Sequence, residues 1–84
     1  MLRIRFFAAI REKTGHSSLD IAAAPGVVDV GSLVRHLDEG VLPGCAGILL
    51  ASNTLIAVNR SVCGVSASLS DGDEIAFYPP VTGG

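Results

Sequence analysis

The sequence predicts an α+β domain, with one mixed β-sheet and a helix lying across one of its faces. Three observations predict it. The opening run alternates, with Leu2, Ile4, Phe6 and Ala8 set against Arg3, Arg5 and Phe7, which is the period of a half-buried strand. Val30, Leu33, Val34 and Leu37 recur at helical spacing and give a one-sided apolar stripe. Glu74 to Tyr78 again alternates, directly after an Asp71–Gly72 turn signal. Strands at both ends and a helix between them place the helix over a sheet that the two ends share.

The first strand is expected over Leu2 to Ala8, with Leu2, Ile4 and Phe6 facing the core. A short helical turn follows from Ile10 to Thr14, closed by Gly15, and "KTGHS" serves as a long hairpin loop. A second strand runs from Ser18 to Ala22. "APG" at Ala24–Gly26 breaks the chain before a helix over Val30 to Glu39. Asp29 is its natural N-cap, because its carboxylate can accept a bond from an unpaired first-turn N–H. Arg35, Asp38 and Glu39 are expected in water, and Gly40 supplies a stop that tolerates left-handed backbone. "VLPGCAGILLASN" reads as a short helix or an irregular apolar loop. Thr54 to Val58 is a strand, Asn59 to Ser61 a turn, and a short strand lies near Val62. Pro79 ends the last strand by removing a donor. The folded part is thus residues 1–78, and residues 79–84 form a tail.

Composition narrows the function. The 84 residues make one domain, and 49% hydrophobic content against 17% charged supplies one core with little room for an internal active site. A net charge of −2 with scattered Lys and Arg excludes a concentrated basic face for nucleic acid. The longest apolar runs are far too short to cross a bilayer. Two arginines interrupt the N-terminal apolar run and no small-residue cleavage site follows, so a cytoplasmic protein is expected. Cys45 and Cys63 lack both the paired pattern of a disulfide scaffold and the spacing, with His partners, of a zinc site. Asp71, Asp73 and Glu74 lack the spaced ligands of a calcium loop. No metal is expected.

Parity singles out two aromatics. If the helix covers one face of the sheet, Phe7 and Tyr78 both point to the other, with Val62 as a neighbour. Two aromatics on one open face suit a protein-binding patch, although single exposed aromatics are common. The end of the chain is the other feature. Pro79 and Pro80 stiffen the exit from the last strand. The six residues from Pro79 through Val81 and Thr82 to Gly84 span roughly 20 Å when extended. Gly83 and Gly84 have no side chains, so the arm can enter a narrow channel. A terminal carboxylate on such an arm suits activation by a partner, whereas glycine termini by themselves are more often frayed than functional.

Three blocks carry a resemblance that bears on this choice. "IRFFAAIREKTG" at Ile4–Gly15, "LIAVN" at Leu55–Asn59 and "LSDGDEIAFYPPVTGG" at Leu69–Gly84 look like the small subunit of molybdopterin synthase, the MoaD family of sulfur carriers. The stretch from Ala23 to Ser52 matches weakly. The resemblance implies a β-grasp, ubiquitin-like fold. It also implies that an E1-like adenylating enzyme uses ATP to activate the Gly84 carboxylate. A persulfide sulfur donor then converts the acyl-adenylate to a thiocarboxylate. The tail delivers that sulfur to cyclic pyranopterin monophosphate in the large synthase subunit. No cofactor of the chain's own is implied, and Phe7, Val62 and Tyr78 map to the contact patch for both partners. Tyr78 departs from the family, which often has Phe there. Arg11 and Glu12 are rim contacts or a solvated turn. A carrier for thiamine or cysteine synthesis, a ubiquitin-like modifier, and an interaction module with an inert tail stay open as alternatives.

Overall fold

The computed structural model describes residues 1–79, with strands β1 (Leu2–Phe6), β2 (Ser18–Ile21), β3 (Leu55–Val58), β4 (Ser61–Cys63) and β5 (Glu74–Tyr78). Helix α1 (Ala8–Thr14) follows β1, and α2 (Val30–Glu39) and α3 (Ala46–Leu49) follow β2. The strands form one mixed sheet in the order β2-β1-β5-β3-β4. β1 and β5 run parallel, and the other neighbours are antiparallel. The first and last strands thus lie side by side within the sheet, with Ile4 opposite Ile75 and Phe6 opposite Phe77.

The alternation of β1 explains the layering. Leu2, Ile4 and Phe6 are buried while Arg3 and Arg5 are exposed. α2 lays Val30, Leu33, Val34 and Leu37 on the same buried layer, joined by Ile56, Ile75 and Phe77. Phe6 and Phe77 stack there with ring centroids 5.9 Å apart, an offset contact that adds to their area burial. α2 starts where Asp29 predicts. Its carboxylate accepts from Ser32 N–H at 2.8 Å, and Ser32 Oγ accepts from Asp29 N–H at 3.0 Å. The reciprocal pair satisfies two first-turn donors.

Several boundaries differ from the sequence reading. β1 stops at Phe6, two residues early, because Ala8 takes a left-handed φ of 50° and begins α1. The expected turn at Ile10–Thr14 is therefore a helix of seven residues, closed by Gly15 at φ 76°. β2 ends at Ile21 and β3 begins at Leu55. Gly40 does not use left-handed backbone: its φ is −124°, and its N–H donates to Leu37 C=O. Asp38 is half-buried, because its carboxylate accepts from Ala46 N–H at 3.1 Å and ties α3 to α2. Asn59 and Arg60, at φ 50° and 72°, make the two-residue turn of the β3–β4 hairpin, the conformation that matches strand twist.

Candidate partner-binding face

Among the described residues, no helix covers the face of the sheet opposite α2. Its side chains come from the alternate strand positions: Arg3 and Arg5 on β1, Glu74, Ala76 and Tyr78 on β5, Leu55 and Ala57 on β3, and Val62 on β4. Ala76 and Ala57 are buried although no helix lies on them, since small residues sit below taller neighbours. Val62 is 77% exposed and Tyr78 36% exposed.

Phe7 reaches this face although it lies outside β1. As the residue before α1 it keeps extended backbone, φ −121° and ψ 147°, and its N–H donates to Phe77 C=O. That bond continues the β1–β5 ladder by one residue, so Phe7 retains the orientation that strand parity assigns it. Its ring lies parallel to Tyr78, with centroids 4.6 Å apart and planes 7° from each other. The Arg5 guanidinium stands over the Phe7 ring, 5.3 Å from its centroid, in the geometry of a cation–π contact. Arg5, Phe7 and Tyr78 therefore form one continuous stack.

The structure groups the sequence-derived residues unequally. Phe7 and Tyr78 touch. Val62 lies two strands from Tyr78, across Ala57. The immediate cross-strand neighbour of Tyr78 is Leu55, which is 40% exposed. Sequence reasoning passed over Leu55 because its strand parity can be read only once the β3–β5 register is known. The contact of Arg5 with the Phe7 ring has no signature in the spacing either, since nothing in the sequence places that guanidinium over a ring. Arg11 and Glu12 are exposed on α1. Of the tail, Pro79 lies at the end of β5, and Pro80, Val81, Thr82, Gly83 and Gly84 lie outside the described residues.

Beside Pro79 a groove of about 510 Å3 opens between α1 and the α3–β3 connection, lined among others by Ala8, Ile10, Lys13, Ile48 and Thr54. Among the described residues Lys13 is the one titratable side chain in its lining, and they bring no acid–base pair to the groove. Among the described residues, no group of three His, Cys, Asp or Glu gathers to hold a metal ion, and no helix is long and apolar enough to cross a membrane. Burial pushes the Cys45 thiol above its usual range, with the Asp38 charge adding to the effect, which makes it a poor nucleophile. The carboxyl of Asp73 is held below the usual range by bonds from Ser70 N–H and Asn59 Nδ2. These groups shape turns and lie at other places than the aromatic stack.

Comparison with known proteins places the chain in a family. The family model described as "ThiS family" matches residues 4–84. The molybdopterin synthase sulfur carrier subunit of Escherichia coli is 39% identical, with all of both chains covered. Small archaeal modifier protein 3 of Haloferax volcanii is 33% identical, with 99% of this chain and 98% of that protein covered. Among solved structures, small archaeal modifier protein 1 of H. volcanii superposes with a TM-score of 0.79 at 21% identity, covering 95% of this chain and 97% of that one. The last of these shows the fold, which is the ubiquitin-like β-grasp. Taken over nearly its whole length, the chain belongs to the ThiS family.

Proposed function

We propose that this chain is the sulfur carrier subunit of a molybdopterin synthase. The observation that carries the reading is the end-to-end match to carriers of that name, at 39% identity for one and 35% for another. The geometry supports it. The domain holds no acid–base cluster among its described residues and presents an aromatic stack on an uncovered face at the root of the tail. A carrier needs both: a docking surface, and a reactive end that reaches chemistry performed elsewhere.

In this reading an E1-like enzyme docks on the face around Phe7 and Tyr78. The Gly84 carboxylate oxygen attacks the α-phosphorus of ATP and pyrophosphate leaves. The terminal sulfur of a persulfide displaces AMP from the acyl carbon, and a thiol then attacks the inner sulfur, the donor's own cysteine Sγ, forming a disulfide with it and releasing the terminal sulfur on Gly84 as the thiocarboxylate. The large synthase subunit binds the same face and receives the arm, which Pro79 and Pro80 direct and Gly83 and Gly84 keep thin. Each sulfur transfer to the pterin returns Gly84 to a carboxylate, with oxygen from water. The chain contributes the acyl carbon and its placement; the partners contribute the acids and bases. It works in the cytoplasm and binds no cofactor itself.

Intact mass after incubation with the activating enzyme, ATP and a persulfide donor tests this. The carrier reading requires one oxygen-to-sulfur exchange, and deletion of Gly84 must abolish it while leaving the fold unchanged. The full-length likeness to an archaeal modifier protein favours a second reading, in which the activated Gly84 meets a lysine amine. Conjugate ladders without sulfur incorporation would select that reading instead.

A further inference from the structure

β1 places two arginines on the open face, and their surroundings differ. Arg3 has Asp20 as its cross-strand partner on one side and Glu74 on the other. Its Nε donates to Asp20 Oδ1 at 3.0 Å. Arg5, two residues on, has Ser18 and Ala76 as its cross-strand neighbours. No carboxylate among the described residues lies within ion-pair reach of it. Its guanidinium rests on the Phe7 ring instead, at the edge of the Phe7–Tyr78–Leu55 surface.

The proposed function requires a partner to cover Phe7 and Tyr78. Any such partner also removes water from Arg5, because the guanidinium and the Phe7 ring are one stack. Burying a cation without a counter-charge is costly. Among the described residues a carboxylate reaches Arg3 and none reaches Arg5. We propose that Arg5 is a specificity-determining contact, and that the large synthase subunit presents a carboxylate to it at the edge of the aromatic patch. The planar fork of Arg can stay on the ring while its N–H edge donates to that carboxylate. The pair then steers the encounter and selects the correct partner, in addition to the contact made by the aromatic rings.

This inference rests on the carrier reading, and the experiment separates the two. Association of the purified full-length chain with its large synthase subunit is followed by stopped flow or surface resonance at low and high salt. The variants are Arg5→Leu, Arg5→Glu and Phe7→Arg, each checked for unchanged circular dichroism. Arg5→Glu sets like charges together and is expected to weaken binding at least about tenfold at low salt. Arg5→Leu keeps the apolar contact, and is expected to lose most of the salt dependence of the association rate. If Phe7→Arg abolishes binding while Arg5→Glu binds within about twofold of the parent with the same salt slope, the Arg5 proposal is overturned and the carrier reading stands. If Phe7→Arg binds undiminished, the face is misplaced and the Arg5 proposal falls with it, while the carrier reading is decided separately by the oxygen-to-sulfur exchange at Gly84.

Discussion

Arg60 offers the sharpest test of the backbone. It sits second in the two-residue turn of the β3–β4 hairpin at φ 72°, a conformation that L side chains rarely adopt. Its side chain is exposed and makes no hydrogen bond or ion pair among the described residues. Asn59, the first turn residue, also has positive φ, but it is tied in place. Its Oδ1 accepts from Glu74 N–H at 3.0 Å, its Nδ2 donates to Asp73 at 2.8 Å, and its N–H donates to Glu74 C=O at 2.8 Å. Arg60→Gly therefore removes the left-handed cost without removing a contact. That cost is about 1–2 kcal/mol for an L residue. Glycine returns roughly 0.4–1 kcal/mol through the entropy of the unfolded chain. The net is a gain of about 0.5–1 kcal/mol, or a rise of roughly 2–8 °C in melting temperature for a domain of this size. Urea unfolding should show a higher midpoint at unchanged slope. A lower midpoint would refute the reasoning, because it would require either a different turn conformation or a stabilising contact from the Arg60 side chain.

The same arithmetic predicts that Ala8→Gly is also stabilising, since Ala8 holds φ 50° and is exposed; thermal unfolding checks the direction. Phe77→Ala removes a fully buried ring stacked on Phe6 and should cost about 3–5 kcal/mol, measurable as a large fall in urea midpoint. The carboxyls of Asp29 and Asp73 both lie below their usual range when folded, chiefly through backbone hydrogen bonds. A depressed folded pKa adds stability above the unfolded value, near 3.9, that is lost as pH falls through the folded value. Stability should therefore drop on acidification below about pH 4, and Asp73→Asn should flatten that drop in acid titrations followed by circular dichroism. Thiol titration should find Cys45 unreactive until the chain unfolds, because it is buried between α2 and α3 and its thiolate is disfavoured. One fast equivalent at most is expected from the native chain, from half-buried Cys63.

Strand parity and helix periodicity made the layering legible. Leu2, Ile4, Phe6, Ile75 and Phe77 on one side and the α2 stripe on the other follow from spacing alone. The junction at Phe7 to Ala8 was not legible, because alternation continues through Ala8 and no glycine marks the reversal there. The left-handed turn is set by tertiary context, in which α1 folds back beside the end of β5, and Ala8 accepts the strain. Asp38 and Asn59 were missed for a related reason. Each side chain bonds to backbone far along the chain, at Ala46 and Glu74, and such pairings leave no local pattern. The outward direction of Phe7 was read correctly from the wrong element, since a single ladder bond to Phe77 preserves strand parity beyond the strand.

The Arg3–Arg5 contrast shows how far parity alone can go and where register must take over. Two arginines at spacing two announce one exposed face, and the sequence offers no reason to treat them differently. Register supplies the reason. Pairing Leu2 with Ile21 sets Asp20 beside Arg3 and Ser18 beside Arg5, while the parallel pairing with β5 sets Glu74 beside Arg3 and Ala76 beside Arg5. A slip of two residues in the pairing with β2 would keep every side chain on its proper face and would set Asp20 beside Arg5 in place of Arg3. That Arg5 has no carboxylate partner among the described residues is therefore a property of the register, which the Leu2–Ile21 and Ile4–Leu19 pairs hold toward β2 and the Ile4–Ile75 and Phe6–Phe77 pairs hold toward β5. Packing under α2 thus determines the charge displayed on the opposite face, where a partner would meet it.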